Sequence, residues 1–161
     1  MQRLWAPWRL EYIVGEKIDG CIFCVFPKED DDRKYRILAR GEHAFVIMNT
    51  FPYSNGHLMI VPYRHTGDFS ELTDAESLEI MQLTQRSMRV LKQAMNPDAF
   101  NIGVNQGVAA GAGIADHIHV HLVPRWNGDT NFMPVFADVK VVPEALETTY
   151  DKLKPIFDEV T

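Results

Sequence analysis

The chain has 161 residues, of which 46% are hydrophobic and 24% charged, a composition typical of one globular domain with a full core. Lys and Arg total 16 against 22 Asp and Glu, giving a formal net charge of −6, so the chain is a poor candidate for binding a polynucleotide. No apolar run approaches the length of a membrane span, and the first residues lack the apolar core of a signal peptide. We therefore expect a cytoplasmic protein that does not bind membranes.

The first residues, 1–20, contain Trp5 and Trp8, and we expect an arm that packs on the domain or on a second subunit. Five apolar stretches then predict strands, at 35–39, 44–48, 58–61, 100–104 and 118–123. The Asn55-Gly56 pair between the second and third stretches predicts a hairpin with a longer loop. Because strands and helices do not alternate regularly, we predict an α+β fold with a mainly antiparallel sheet.

Two helices are predicted, one long and one at the C-terminus. Thr73 and Glu76 have the spacing of a capping box, and Pro97 ends the long helix. A stripe at helical spacing is predicted to face the core, and it consists of Leu78, Met81, Gln85, Met88, Leu91 and Met95. The segment 143–160 is predicted as the C-terminal helix, which Pro143 opens.

Three of the six histidines alternate with apolar residues in the segment 117–123, which reads HIHVHLV. Side chains alternate across a strand, so His117, His119 and His121 would share one face while the apolar residues between them pack into the core. Two kinds of chemistry remain open for such a row. The histidines could bind a catalytic metal, or one neutral imidazole could attack phosphorus while its neighbours fix which ring nitrogen is free.

A glycine-rich loop directly precedes this row of histidines, and it contains Asn105, Gly107, Gly111 and Gly113. Glycines let backbone N–H groups approach an anion closely, and the Asn105 side chain can add a further donor. Donors that hold a phosphate, followed by a nucleophile beside it, favour the second interpretation, in which an imidazole attacks the phosphorus atom.

The cysteine pair, Cys21 and Cys24, has the C-x-x-C spacing of a redox pair, of half a zinc site, or of two free thiols. A redox pair of the thioredoxin type should open a helix in a βαβ context, whereas Pro27 and an acidic loop follow here. A tetrahedral zinc site would need two further ligands, which the spacing alone does not identify.

The segment 117–123 resembles the H-φ-H-φ-H-φ-φ motif that defines the histidine triad (HIT) superfamily, and the likeness extends to 45–49, 56–62 and 105–107. Segments 4–9 and 124–132 resemble a bacterial branch that contains diadenosine tetraphosphate phosphorylases, which is related to fragile-histidine-triad proteins. The resemblance implies a single domain over 1–161 with an α+β, HIT-like half-barrel that usually dimerises into one extended sheet, so we expect a homodimer or a higher homo-oligomer.

The implied activity is cleavage at the α-phosphate of a dinucleoside polyphosphate through a nucleotidyl-histidine intermediate, with phosphate or water as acceptor. The alternatives are a nucleoside phosphoramidate hydrolase, a nucleotide-binding module with little turnover, and a metallohydrolase that uses the histidine row. The metallohydrolase would lose activity on chelation and regain it with metal.

The resemblance also implies a role for each matching residue. His119 would be the nucleophile, His121 would contact the α-phosphate, and His57 would support the histidine network. The residues implied to bind the rest of the nucleotide are Asn105 and Gly107 for the phosphate, Asn49 for the ribose hydroxyls, and Ile22 and Phe23 for the base.

The chain departs from the family pattern before the first triad histidine. Many relatives carry a Gln, Ser or Thr there that holds the leaving oxygen, whereas this chain has Gly113 and Ile114. A backbone N–H at Gly113, or another residue, would have to replace that donor. Arg125, just past the strand end, is interpreted either as a strand terminus or as a residue that reaches a distal phosphate.

For the cysteines, the resemblance supplies the missing ligands, because in zinc-bearing relatives they are equivalent to His65 and His117. We therefore expect Cys21, Cys24, His65 and His117 to bind one structural zinc ion, and we expect no catalytic cofactor.

Overall fold

The computed structural model describes residues 19–130 and 143–160. The predicted arm, except for its last two residues, and the end of the motif 124–132 lie outside this part of the chain. None of the helices in the described ranges is long and apolar enough to cross a membrane.

The strands of the described residues form one sheet, in which every neighbouring pair is antiparallel. They are β1 (Ile37–Arg40), β2 (Ala44–Met48), β3 (Leu58–Pro62), β4 (Ala99–Val104) and β5 (Val120–Arg125), in the spatial order β1-β2-β3-β5-β4. The α+β prediction with an antiparallel sheet is confirmed, and so is the hairpin, since β2 pairs with β3 around the loop that contains Gly56 at φ 73°.

The helices are α1 (Ile22–Val25), α2 (Asp32–Tyr35), α3 (Asp74–Met95) and α4 (Leu146–Glu159), with 3-10 turns at Phe26–Lys28, Phe69–Glu71 and Val108–Ala110. The predicted capping box begins α3, because the Thr73 hydroxyl accepts from the Glu76 N–H and the Glu76 carboxylate accepts from the Thr73 N–H. The prediction that Pro143 opens the last helix was wrong. Ala145 is extended at the N-cap, and the Glu144 carboxylate before it accepts a hydrogen bond from the Thr149 hydroxyl.

The predicted core stripe of α3 is correct in its second half, where Leu91 is buried in the core and Met88 and Met95 pack against it. Its first half was wrong, because Leu78 is 60% exposed and Met81 is 56% exposed. The buried face consists of Glu76, Ile80, Leu83, Thr84, Ser87, Val90 and Leu91. Helical spacing fixes the period of a pattern but not which of two overlapping faces is buried. The buried hydroxyl of Thr84 donates to the Ile80 carbonyl at 2.7 Å, so a polar side chain lies in the core without an unsatisfied group.

The sheet separates two apolar clusters. On one face, α3 and α4 cover a large core to which Val120 and Leu122 of β5 contribute. The opposite face carries a smaller cluster of Phe23, Ile37, Phe45, Ile47, Met59 and Val61. Because residues alternate along β5, His121 projects on the second face, beside its β3 partner Met59.

Candidate active site

The three histidines of the motif lie together and are buried. His121 belongs to β5, whereas His117 and His119 precede the strand, which begins at Val120 rather than at Ile118 as predicted. The reason is that the Ile118 N–H donates to the Thr66 carbonyl at 2.7 Å and so leaves the sheet ladder. The ring centroids of His119 and His121 are 4.7 Å apart, so these two imidazoles share one face, as predicted.

The hydrogen bonds of His119 define which of its ring nitrogens is basic. Its Nδ1 lies 2.9 Å from the His117 carbonyl oxygen, which can only accept, so Nδ1 carries the proton. A neutral imidazole then has its lone pair on Nε2. The buried ring of Phe23, whose centroid is 5.1 Å from that of His119, packs against it and limits its rotation. His119 is therefore held in one orientation, with a basic Nε2.

His121 has the opposite tautomer, because a chain of hydrogen bonds from the backbone sets it. The Tyr53 N–H donates to Nδ1 of His57 at 3.0 Å, so neutral His57 carries its proton on Nε2. That Nε2–H donates to Nδ1 of His121 at 3.0 Å. Neutral His121 therefore carries its proton on Nε2 and is a hydrogen-bond donor beside His119.

Tyr53 is a residue that sequence reasoning missed. Besides donating its N–H, it places its ring 4.6 Å from the ring of His57 and 5.7 Å from that of His121. No local sequence pattern identifies this residue, because the hydrogen bond to His57 comes from the backbone N–H, which any residue except proline has. The predicted support by His57 itself is consistent with the geometry.

Burial sets the charge of these imidazoles. It lowers the pKa of His119, against the opposing effect of the hydrogen bond to His117. Burial, and secondly the nearby His119, lower the pKa of His121 to about 4. Both rings are therefore neutral at pH 7, which the two tautomers require. A lone pair and a donor side by side can attack a phosphorus atom and hold one of its oxygens.

The glycine-rich loop leaves the sheet next to this pair. In β4, Gly103 lies opposite His121 and Val104 opposite Val120, so Asn105 emerges beside the start of β5. Gly107 and Gly111 have φ values of 80° and 86°, which explains glycine at both. An added Cβ at Gly113 would meet nothing within 4 Å, and the Ile114 side chain packs against the smaller apolar cluster. Position 114 therefore offers no side-chain donor to a leaving group.

The residues predicted to bind the nucleoside lie on the same face of the sheet. Phe23 is buried in the smaller cluster and Ile22 packs against it. Asn49 follows β2, where its Oδ1 accepts from the Phe51 N–H at 2.9 Å and its Nδ2 lies 3.3 Å from Nδ1 of His57. Asn49 is thus connected to the histidine network through His57.

Arg125 is not brought near the histidines within this chain. It lies at the far end of β5, about 20 Å along the strand from His119 at about 3.3 Å per residue. Its guanidinium forms an ion pair with Asp129 and donates a hydrogen bond to Oδ1 of the Asn101 side chain at 2.8 Å. This placement agrees with the interpretation of Arg125 as a strand terminus.

A second cluster combines Cys21, Cys24, His65 and His117, whose ligand atoms all lie within 4.8 Å of one another. The separations include 3.3 Å from Cys21 Sγ to His117 Nδ1, 3.3 Å from Cys24 Sγ to His65 Nδ1, 3.6 Å from Cys24 Sγ to His117 Nδ1, and 3.3 Å between the two Nδ1 atoms. Bonds of about 2.3 Å to sulfur and about 2.05 Å to nitrogen in a tetrahedron place S and N about 3.6 Å apart and two N atoms about 3.3 Å apart. The four residues therefore fit a tetrahedral zinc ion.

The orientation of His117 supports the same conclusion. Its Nε2–H donates to the Pro62 carbonyl at 2.8 Å, so the unprotonated Nδ1 faces the cysteines. Burial and the adjacent Cys21 raise the pKa of Cys24, and two thiolates at this position would require a cation between them. Since His117 turns to the cysteines while His121 turns to His57, the three histidines do not converge on one metal position. This geometry favours the nucleophile interpretation over a catalytic metal on the row.

Comparison with known proteins places this arrangement in a family. The model of the family described as the HIT domain matches residues 32–128, more than half of the chain. The chain belongs to the HIT domain family. Among curated HIT relatives, the AP-4-A phosphorylase of Mycobacterium tuberculosis is 39% identical over 158 residues, which cover 92% of this chain and 80% of that protein.

Solved structures of HIT proteins show the same fold. A zinc-bound histidine triad family protein from Mycobacterium smegmatis superposes with a TM-score of 0.69 at 24% identity, covering 86% of this chain and 94% of that one. A hypothetical histidine triad nucleotide-binding protein from Sulfolobus tokodaii gives a TM-score of 0.67 at 26% identity, covering 86% and 90%. The half-barrel expected from the resemblance is thereby confirmed as the HIT fold.

Proposed function

We propose that this HIT protein is an enzyme that cleaves a dinucleoside polyphosphate of the diadenosine tetraphosphate type at its α-phosphate. The observation that carries the proposal is the pair of opposite tautomers, with a basic Nε2 on His119 and an Nε2–H donor on His121. The 39% identity to an AP-4-A phosphorylase over most of both chains supports this class of substrate.

In the first step, Nε2 of His119 attacks the α-phosphorus and forms a P–N bond. The P–O bond to the β-phosphate breaks, and ATP leaves from diadenosine tetraphosphate. His121 donates its Nε2–H to a non-bridging oxygen of the α-phosphate, where negative charge is concentrated in the transition state. The product is an adenylyl group on His119, so one difficult displacement becomes two easier ones.

In the second step, an oxygen of inorganic phosphate or of water attacks the same phosphorus, and the P–N bond breaks. Phosphate gives ADP and water gives AMP, and His119 regains its lone pair. Backbone donors around Asn105 and Gly107 would hold the phosphate, with the Gly113 N–H as the candidate for the leaving oxygen. The base would lie against Ile22 and Phe23, and Asn49 would bind the ribose hydroxyls.

Product analysis tests this function. The protein is incubated with diadenosine tetraphosphate, with and without inorganic phosphate, and the nucleotides are separated. ADP and ATP formed only with phosphate would identify a phosphorylase, whereas AMP and ATP without phosphate would identify a hydrolase. Absence of cleavage in both reactions would contradict the proposed substrate and redirect the search to phosphoramidates or to nucleotide binding without turnover.

We further propose that Cys21, Cys24, His65 and His117 hold one structural zinc ion. The ion would link the start of α1, the segment after β3 and the residue two positions before the nucleophile, and it would supply rigidity rather than catalysis. Elemental analysis of the purified protein should find about one zinc per chain. A fully active sample without metal would contradict this proposal.

The remaining expectations concern assembly and location. We propose a homodimer, because β4 is an edge strand of the described sheet and its Ile102 is 50% exposed, which suits pairing with a second copy. Light scattering after gel filtration would measure the mass. Cys21 and Cys24 are not joined in a disulfide, which suits a reducing, cytoplasmic compartment. A single HIT domain over 1–161 remains our prediction.

A further inference from the structure

Among the residues that the structure describes, Gln106 is the one whose side chain connects the glycine-rich loop, residues 105–113, to the rest of the domain by hydrogen bonds. Its Oε1 accepts from the Phe69 N–H at 2.9 Å, and its Nε2 donates to Oδ1 of Asp68 at 3.1 Å. The other hydrogen bonds of residues 105–113 in the described part of the chain stay within the loop, such as those to the Gly107 carbonyl from the N–H groups of Ala110 and Ala112. Its own hydrogen bonds therefore stabilise the loop internally, and the side chain of Gln106 connects it to the rest of the described chain.

The segment that receives Gln106, residues 65–71, is itself fixed. The Thr66 carbonyl accepts from the Ile118 N–H, between two triad histidines, at 2.7 Å. Gly67 packs so closely that an added Cβ would lie 2.7 Å from the Ala115 carbonyl oxygen. Asp68 accepts from the Ser70 hydroxyl and N–H at 2.8 and 2.9 Å, and these bonds, with the one from Gln106, lower its pKa. Asp68 is thus an ionised, oriented acceptor at neutral pH.

We infer that Gln106 is a positioning residue that holds the phosphate loop at a fixed distance from the nucleophile by bonding it to segment 65–71. Its two neighbours in sequence, Asn105 and Gly107, are the donors assigned to the substrate phosphate, so the inference rests on the proposed function. A loop with free φ rotation at Gly107 and Gly111 would otherwise place these donors in many positions. The bonds of Gln106 restrict that freedom before the substrate arrives.

The test compares the binding of AMP, which has a phosphate, with that of adenosine, which has none. In Q106A, the dissociation constant for AMP should rise about threefold to tenfold, the range expected for losing exposed hydrogen bonds, while that for adenosine should not change. The control Q85A removes the same side chain from the exposed face of α3 and should affect neither ligand. Thermal unfolding of both variants shows whether the domain remains folded.

A double-mutant cycle with Asp68 identifies the partner. If Gln106 acts through Asp68, D68A should also weaken AMP binding, and the double variant D68A/Q106A should weaken it by less than the product of the two single effects. Equal AMP affinity in Q106A and the parent, or an equal loss for AMP and adenosine, would overturn the inference. Failure of the parent to bind AMP at all would instead contradict the proposed function, so the two failures are distinguishable.

Discussion

At the scale of single residues, the site depends on protons placed by the backbone. The His117 carbonyl fixes the proton of His119, and the Tyr53 N–H fixes that of His57 and through it that of His121. Neither carbonyl nor amide changes its protonation, so the two tautomers persist as long as the rings stay neutral. The two imidazoles thereby differ in chemistry, since His119 has a lone pair on Nε2 and His121 has a proton there.

Removing the donor should slow the reaction without abolishing it. We expect H121A to lower kcat by about 100-fold, since one oxyanion donor contributes roughly that factor. H57A should have a smaller effect, because His57 acts through His121 and Asn49 rather than on the reacting phosphate itself. Steady-state kinetics measure kcat for these variants and for the control H43A, which removes a partly exposed histidine outside the site. A larger loss in H57A than in H121A would contradict the proposed order of the network.

At the scale of elements, sequence patterns predicted composition and period better than orientation. The alternation in HIHVHLV identified the shared face of His119 and His121, and the Thr73 and Glu76 spacing identified the start of α3. The buried face in the first half of α3 was not predictable, because a stripe through Leu78 and Met81 has the same spacing as the one through Leu83. The part played by Tyr53 and Gln106 depends on contacts between distant segments, which leave no local pattern.

A matched pair of leucines on α3 tests the assignment of its faces. Leu83 is 6% exposed and Leu78 is 60% exposed. L83A should lower the free energy of unfolding by about 2–5 kcal/mol, because it leaves a cavity in the core. L78A should change it by less than about 0.5 kcal/mol. Urea unfolding of both variants decides the matter, and the reverse order would mean that the helix is rotated.

Glu76 should make the fold sensitive to acid. Hydrogen bonds from Arg64, against the effect of burial, lower its pKa from 4.5 to about 2. As pH falls, the unfolded chain takes up this proton first, so the stabilisation is complete above about pH 4.5 and is lost towards pH 2. The shift corresponds to up to about 3 kcal/mol.

The variant E76Q should therefore be less stable than the parent at pH 7 and should lose less free energy of unfolding between pH 5 and pH 3. Urea unfolding at each pH measures the slope. E42Q is the control. The Glu42 side chain is 84% exposed, so this substitution should leave the slope unchanged. Parallel pH profiles for E76Q and the parent would show that another group causes the acid sensitivity.

At the scale of the whole molecule, one short segment, 65–71, connects the Cys/His cluster, the triad and the glycine-rich loop. His65 lies in the cluster, Thr66 binds Ile118, and Asp68 binds Gln106. All three lie at one end of β3 and β5. A change in the Cys/His cluster should therefore affect the position of the triad through few intervening residues.

Loss of a metal ligand should therefore destabilise the molecule. H65A should purify with less zinc and unfold at a lower temperature than the parent, because two thiols and one imidazole bind the ion less tightly than the full set. H43A, which also removes a partly exposed imidazole, should keep both the zinc content and the unfolding temperature. Equal zinc content in H65A and the parent would remove His65 from the ligand set.

The proposed mechanism requires a covalent bond between Nε2 of His119 and the α-phosphorus, and this bond can be trapped. The parent and H119A are mixed with diadenosine tetraphosphate without inorganic phosphate, quenched within the first turnover in alkali, digested, and analysed by mass spectrometry. We predict an adenylyl group on His119 in the parent, and no adduct and no turnover in a folded H119A. An adduct on another residue, or turnover in H119A, would show that His119 is not the nucleophile.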